Sequence, residues 1–152
     1  MSDSRGTTTM SKAPSAPAAA PLDHPIIFFD GVCAMCDRFV SLVARADKKR
    51  VFRFAPLQGE TARRLLPPQG DDPRQWSMLY LDERGLHDQS DASLQVYRRL
   101  GGWAWPLSLV RFVPRLLRDP IYRVVARNRY RWFGRRDSCR VPTPAEREQF
   151  LP

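Results

Sequence analysis

Ile26–Phe29 is a run of four large apolar residues between His24-Pro25 and the turn pair Asp30-Gly31. A short, unbroken apolar stretch bounded by turn residues is expected to fill a strand buried on both faces, and such strands need helices above and below them. The rest of the chain supplies those helices. A helical pattern runs from Cys33 to Asp47 with Phe39, Leu42, Val43 and Ala46 on its predicted inner face, and Val51–Ala55 then alternates like a half-buried strand. Gly59–Leu66 reads as a helix stopped by Pro67-Pro68. Met78–Leu81 and Leu86–Gln89 flank the turn Asp82–Gly85 as a hairpin, and Ser90 or Asp91 is expected to cap a helix that ends at Gly101-Gly102.

The predicted order is β-α-β-α-β-β-α, an α/β layered domain. A parallel β-α-β pair followed by a hairpin and a helix is the thioredoxin-like core. Beyond Gly102 a helical extension is expected. A short helix contains Pro106, and a longer one starts at the cap Asp119-Pro120, carries Ile121, Val124, Val125, Asn128 and Trp132 on one face, and ends at Gly134. That apolar face is expected to pack on the core. Residues 1–23, rich in Ser, Thr, Ala and Pro, read as a disordered leader, residues 24–140 as the domain and 141–152 as a C-terminal tail. The leader lacks the apolar core of a secretory signal, so a cytoplasmic location is expected.

Charge is unevenly distributed. The chain carries a net +9, but the stretch Arg98–Arg140 holds 12 arginines against Asp119 and Asp137, and the remainder is close to neutral. In its C-terminal half Arg123, Arg127, Arg129, Arg131, Arg135 and Arg136 interleave with Tyr122, Tyr130, Trp132 and Phe133. These residue types suit an acidic partner, nucleic acid or an anionic surface, although a solvated basic face of a packed helix explains them as well. The longest apolar run, Trp103–Val110, is too short to span a bilayer.

Chemistry points to Cys33-Ala34-Met35-Cys36, placed where the first strand hands over to the first helix. A thiol at a helix N-terminus faces free N–H groups and the positive end of the helix dipole, which favour thiolate. A second thiol one turn on is positioned to attack a mixed disulfide formed on the first, the minimum that thiol–disulfide exchange requires. Cys33 is thus the expected nucleophile and Cys36 the resolving thiol, and no cofactor is needed because the dithiol itself carries two electrons. Two alternatives use the same cysteines: half of a zinc site completed by Cys139 with His24 or His87, or a site for a soft ion such as Cu(I). Asp30, three residues before Cys33, is a candidate for assisting proton transfer, or else a turn aspartate. Met35 is a candidate for presenting a substrate surface, and Cys139 is either a third redox partner or a bland thiol.

The segment Asp30–Cys36 resembles the DCC family of thiol–disulfide oxidoreductases, named for an Asp and two Cys. Further landmarks of the resemblance are Phe54-Ala55-Pro56-Leu57-Gln58, Ser90-Asp91-Ala92, Arg127-Asn128-Arg129-Tyr130 and Phe133-Gly134, so that it spans residues 25–140. It implies a thioredoxin-like fold, a redox role for Cys33 and Cys36 on protein or small-molecule thiols and disulfides, and a supporting role for Asp30. Ala-Met stands between the cysteines where ordinary thioredoxins have Gly-Pro, and no proline directly precedes Met78–Leu81.

Overall fold

The computed structural model describes residues 22–152; the predicted leader falls almost wholly outside them. Four strands form one mixed sheet: β1 (Ile26–Phe29), β2 (Arg53–Pro56), β3 (Leu79–Asp82) and β4 (Gly85–Asp88), in the order β2-β1-β3-β4. β1 pairs with β2 in parallel and with β3 antiparallel, and β3 and β4 form the hairpin. The helices are α1 (Ala34–Ala46), α2 (Glu60–Leu65), α3 (Gln89–Leu100) and α4 (Arg115–Phe133). A 3-10 turn at Pro73–Gln75 precedes β3, and a longer 3-10 segment, Gly102–Phe112, joins α3 to α4. Element order and strand order are those of the thioredoxin-like core expected from the sequence.

The period of two along a strand explains why β1 lacks a polar face. Ile27 and Phe29 point to one side, against α1 (Val40, Val43) and α3 (Ala92, Val96); Ile26 and Phe28 point to the other, against Ala62 and Leu66 at α2. The sheet is thus covered on both faces. The chain end closes its β2 edge: Phe54 N–H donates to the Gln149 carbonyl at 2.7 Å and Leu151 N–H to the Phe54 carbonyl at 2.7 Å. Phe150 stacks at 5.1 Å from the Phe54 ring. An open sheet edge is a template for unwanted pairing, and these residues occupy it.

Three local expectations are corrected. On α1 the inward positions are Val40 and Val43, while Leu42 faces solvent; the phase is fixed by Cys33 at one end and by Asp47 at the other. Asp47 accepts the N–H groups of Val51 and Phe52 at 3.0 and 2.9 Å. Neither Ser90 nor Asp91 caps α3, whose N-cap position is Asp88; both instead tie α3 to α4, Ser90 to Asp119 and Asp91 to Arg115 and Arg118.

The third correction concerns α4. It starts five residues before Pro120, behind Pro114, whose extended backbone (φ −55, ψ 142) sets the turn. Asp119 is occupied by the Ser90 hydroxyl and does not cap a helix. Pro120 lies inside the helix, where it removes one backbone bond. The stripe expected to face the core does not: Ile121, Val124 and Trp132 are exposed, and Ala126 and Arg129 are buried in their place. A buried ion pair on Arg129 sets that rotation.

Candidate active site

The backbone builds the site first. After β1, Cys33 N–H bonds back to the Asp30 carbonyl at 3.2 Å, closing the turn that delivers Cys33 to the N-cap position of α1. There its extended backbone (φ −85, ψ 119) lets Sγ accept the Cys36 N–H at 3.4 Å. The helix-start thiol environment expected from the sequence is therefore present, with Cys36 one turn along. Cys33, Cys36 and Cys139 are all free thiols.

The two thiols differ sharply in acidity. Hydrogen bonding from the Cys36 thiol and backbone N–H, with help from the Arg129 charge, pulls Cys33 down from 9.0 to about 7 against the opposing effect of burial. The same Cys33 contact, together with burial, pushes Cys36 up. Around neutral pH the pair thus gives up its first proton from Cys33, which is about half thiolate near pH 7, and keeps the one on Cys36.

This difference has a measurable consequence. Unfolded Cys33 keeps its proton up to about pH 9 whereas the folded thiol releases it near 7, so between these values the unfolded state binds more protons and stability rises with pH. The reduced protein is expected to gain about 1 kcal/mol over its Cys33→Ser variant between pH 6 and pH 8. The contribution is lost as pH falls through 7; urea denaturation at the two pH values measures it.

Asp30 lies beneath the thiol turn and is 2% exposed. Its Oδ1 accepts the Val32 N–H at 3.2 Å and the Gln58 side-chain amide at 2.7 Å. Its Oδ2 accepts Arg129 at 2.9 Å and the Tyr130 hydroxyl. Gln58 also accepts the Gly31 N–H at 3.1 Å through Oε1, so that one amide clamps both ends of the Asp30-Gly31 peptide. Arg129, itself 3% exposed, donates further to the carbonyls of Trp76 and Pro73, both at 2.6 Å. One buried cation thus ties α4, the 3-10 turn before β3 and the cysteine turn together, and places a positive charge where it favours the Cys33 thiolate.

A strap formed by residues 134–140 covers this turn. Arg135 forms a β-bridge with Cys33; Ala34 N–H donates to the Gly134 carbonyl at 3.3 Å, Arg136 N–H to the Val32 carbonyl at 2.7 Å, and Arg140 N–H to the Gly31 carbonyl at 3.0 Å. Side chains pin the strap as well: Arg136 pairs with Asp37 at 3.0 Å, and Arg140 with Asp37 and, at 2.8 Å, with Glu146. As a result Cys33 is 0% exposed while Cys36 is only half-buried. Cys139 rides on the strap, exposed, its Sγ so close to Gly31 that a Cβ there would approach it to 3.1 Å.

Cys36 and Met35 line an apolar cleft of about 210 Å³ together with Phe39, Met78, Tyr97 and Tyr122. The Met78 N–H, just before β3, donates to the Tyr122 hydroxyl at 3.1 Å. His87 lies on β4 against Asp82 at 3.2 Å. Among the described residues no group of three or more His, Cys, Asp or Glu side chains gathers as a metal site. No helix among them is long and apolar enough to cross a membrane.

Arg129, Tyr130 and Gln58 are the residues that residue-by-residue reading does not place at the cysteine site; it reads Arg129 and Tyr130 only as part of the basic aromatic stretch. A signal for them was present: all three sit in segments that carry the family resemblance, Phe54–Gln58 and Arg127–Tyr130.

Comparison with known proteins bears on this arrangement. A family model described as DCC1-like thiol-disulfide oxidoreductase matches residues 27–135, which include Asp30, Cys33, Cys36, Gln58, Arg129 and Tyr130 but not the strap beyond Arg135. The uncharacterized protein YuxK of Bacillus subtilis (strain 168) is 35% identical over 133 residues, 86% of this chain and 96% of that protein. A chloroplastic DCC family protein of Arabidopsis thaliana is 37% identical over 120 residues, 78% of this chain and 70% of its own length. No solved structure matches the chain significantly.

Proposed function

The chain belongs to the DCC1-like thiol-disulfide oxidoreductase family, and from that premise we propose that Cys33 and Cys36 are its redox pair, cycling between dithiol and disulfide. The observation that carries this reading is the split in acidity: an N-cap thiol lowered to about 7 beside a partner pushed up.

In the reductive direction the Cys33 thiolate attacks one sulfur of a substrate disulfide. A Cys33–substrate bond forms, the substrate S–S bond breaks, and the departing thiolate takes a proton. Cys36, deprotonated as it attacks, then displaces the second substrate thiolate from Cys33 Sγ, and that proton leaves with the product. Two electrons pass from the dithiol to the substrate, leaving a Cys33–Cys36 disulfide for an external thiol to reduce; oxidation runs the steps backward. Burial of Cys33 requires that the strap yield before a substrate sulfur reaches it, and acidity still favours Cys33, because little Cys36 thiolate exists at neutral pH.

Asp30 takes part as a positioning residue, holding Arg129, Tyr130 and Gln58 against the cysteine turn. Substrates are thiols and disulfides of proteins or small molecules, and the apolar cleft beside Cys36 favours those with an apolar group next to sulfur. Three cysteines are too few for a disulfide-stapled secreted scaffold, which favours a reducing, cytoplasmic setting.

The test is turnover of a small fluorogenic disulfide with dithiothreitol as reductant. The wild-type protein is expected to accelerate it over buffer, and Cys33→Ser is expected to reduce the rate to background. Equal rates in the two proteins would remove Cys33 from the reaction.

A further inference from the structure

The sharpest feature left unused by the thiol chemistry is the outer surface of the 3-10 segment and the start of α4. Only Ala104 and Ser108 of Gly102–Phe112 are buried. Trp103 and Trp105 are 59% and 55% exposed, Phe112 72%, and on α4 Leu116 and Leu117 are 86% and 62% exposed. Between them in the chain Leu107, Val110 and Val113, also exposed, line a groove of about 390 Å³ with Ile121 across from them on α4. A monomer seldom leaves so much apolar surface uncovered on neighbouring elements unless something binds it.

Charge says what. Of the five arginines from Ala92 to Arg118, Arg99, Arg115 and Arg118 pair with Glu83 or Asp91, while Arg98 and Arg111 have no ion-pair partner among the described residues. Arg111 borders the patch, and Arg123, Arg127 and Arg131 continue along α4, all exposed and with no carboxylate within ion-pair distance among the described residues. Tryptophans beside aliphatic side chains, rimmed by arginine, match the headgroup region of an anionic bilayer, where the indole sits at the interface, the aliphatics enter the acyl boundary and the guanidinium groups meet phosphate. A second copy of the same face would bring like charges together. Trp103, Trp105 and Phe112 would stack on bases as well as enter a lipid interface, but the exposed Leu107, Leu109, Val110, Leu116, Leu117 and Ile121 outnumber them and offer only apolar contact, which favours lipid.

We propose that this face seats the protein on the surface of an anionic lipid bilayer, lying on the membrane without crossing it. The groove continues through Ser93, Tyr97 and Tyr122 into the cleft at Cys36, so the seated protein holds its thiols beside the lipid surface. Seating is a property of the face and does not depend on the thiols.

The experiment is co-sedimentation of the full-length protein, at low salt, with phosphatidylcholine vesicles with or without about 30% phosphatidylglycerol. Binding to the anionic vesicles is expected to be at least about tenfold tighter, with blue-shifted tryptophan emission, and to weaken as salt rises. Leu116→Asp with Leu117→Asp, and separately Arg111→Glu with Arg127→Glu, should each lower it by about tenfold or more, and these exposed positions leave the fold intact. Cys33→Ser with Cys36→Ser should bind like wild type. Absence of binding to either vesicle, or binding untouched by both surface variants, would overturn the proposal. So would a dimer that only Leu116→Asp with Leu117→Asp dissolves, or single-stranded DNA bound under conditions where vesicles are not.

Discussion

Arg129→Ala is expected to cost about 3–5 kcal/mol of folding stability, because it strands the Asp30 carboxylate in the interior without its cation. The pair is inaccessible on both sides, at 3% and 2% exposure, so water cannot replace the lost partner. The carbonyls of Trp76 and Pro73 lose their donor in the same substitution. Arg127→Ala, two residues away and exposed, is expected to change stability by less than about 0.5 kcal/mol. Urea denaturation of the two variants side by side makes the comparison. A loss below about 1 kcal/mol for Arg129→Ala would mean that the ion pair does not hold α4 against the cysteine turn. Because the Arg129 charge also lowers Cys33, any folded Arg129→Ala protein should have its Cys33 alkylation midpoint shifted above 7.

Cys36→Ser is expected to arrest the reaction halfway. Treated with oxidised glutathione at pH 7 in a Cys139→Ser background, that variant should accumulate a stable Cys33–glutathione mixed disulfide, visible as one glutathionyl adduct in the intact mass. The wild-type protein should pass through it to the Cys33–Cys36 disulfide without accumulation. Cys33→Ser should react at least about tenfold more slowly, since an unassisted Cys36 is only slightly ionised at that pH. The strap adds a signature of its own. Arg140→Ala removes the anchors to Asp37, Ser41 and Glu146 and should speed trapping at Cys33 in the Cys36→Ser background. Trapping at Cys36 in preference to Cys33 would reverse the assigned roles.

Much of this architecture was legible in the sequence because its causes are local. Four apolar residues before Asp30-Gly31, a helical period from Cys33 to Asp47 and a hairpin around Asp82–Gly85 each declare themselves within a dozen residues, and together they dictate the order of the layers. The cysteine turn was legible for the same reason: a helix start is a short-range event, and Cys33 stands at one.

The rest depends on contacts across the chain. Arg129 meets Asp30 from 99 positions away, and one arginine among 12 in a basic stretch carries no local mark that it is the buried one. Once buried, it rotates α4 so that Ile121 and Val124, read as core residues, face outward. The burial of Cys33 likewise comes from Gly134–Arg140 folding back over it, a placement that no periodicity in that segment announces.

The central claim is that Cys33 and Cys36 form a reversible two-electron couple. Its most direct test is a thiol-trapping redox titration of the Cys139→Ser protein in metal-free glutathione buffers. A single reversible transition is expected, confined to Cys33 and Cys36 and with the slope of a two-electron couple, about 30 mV per decade. A pair that never forms a disulfide across the glutathione range, or forms one that thiols cannot reopen, would contradict the account.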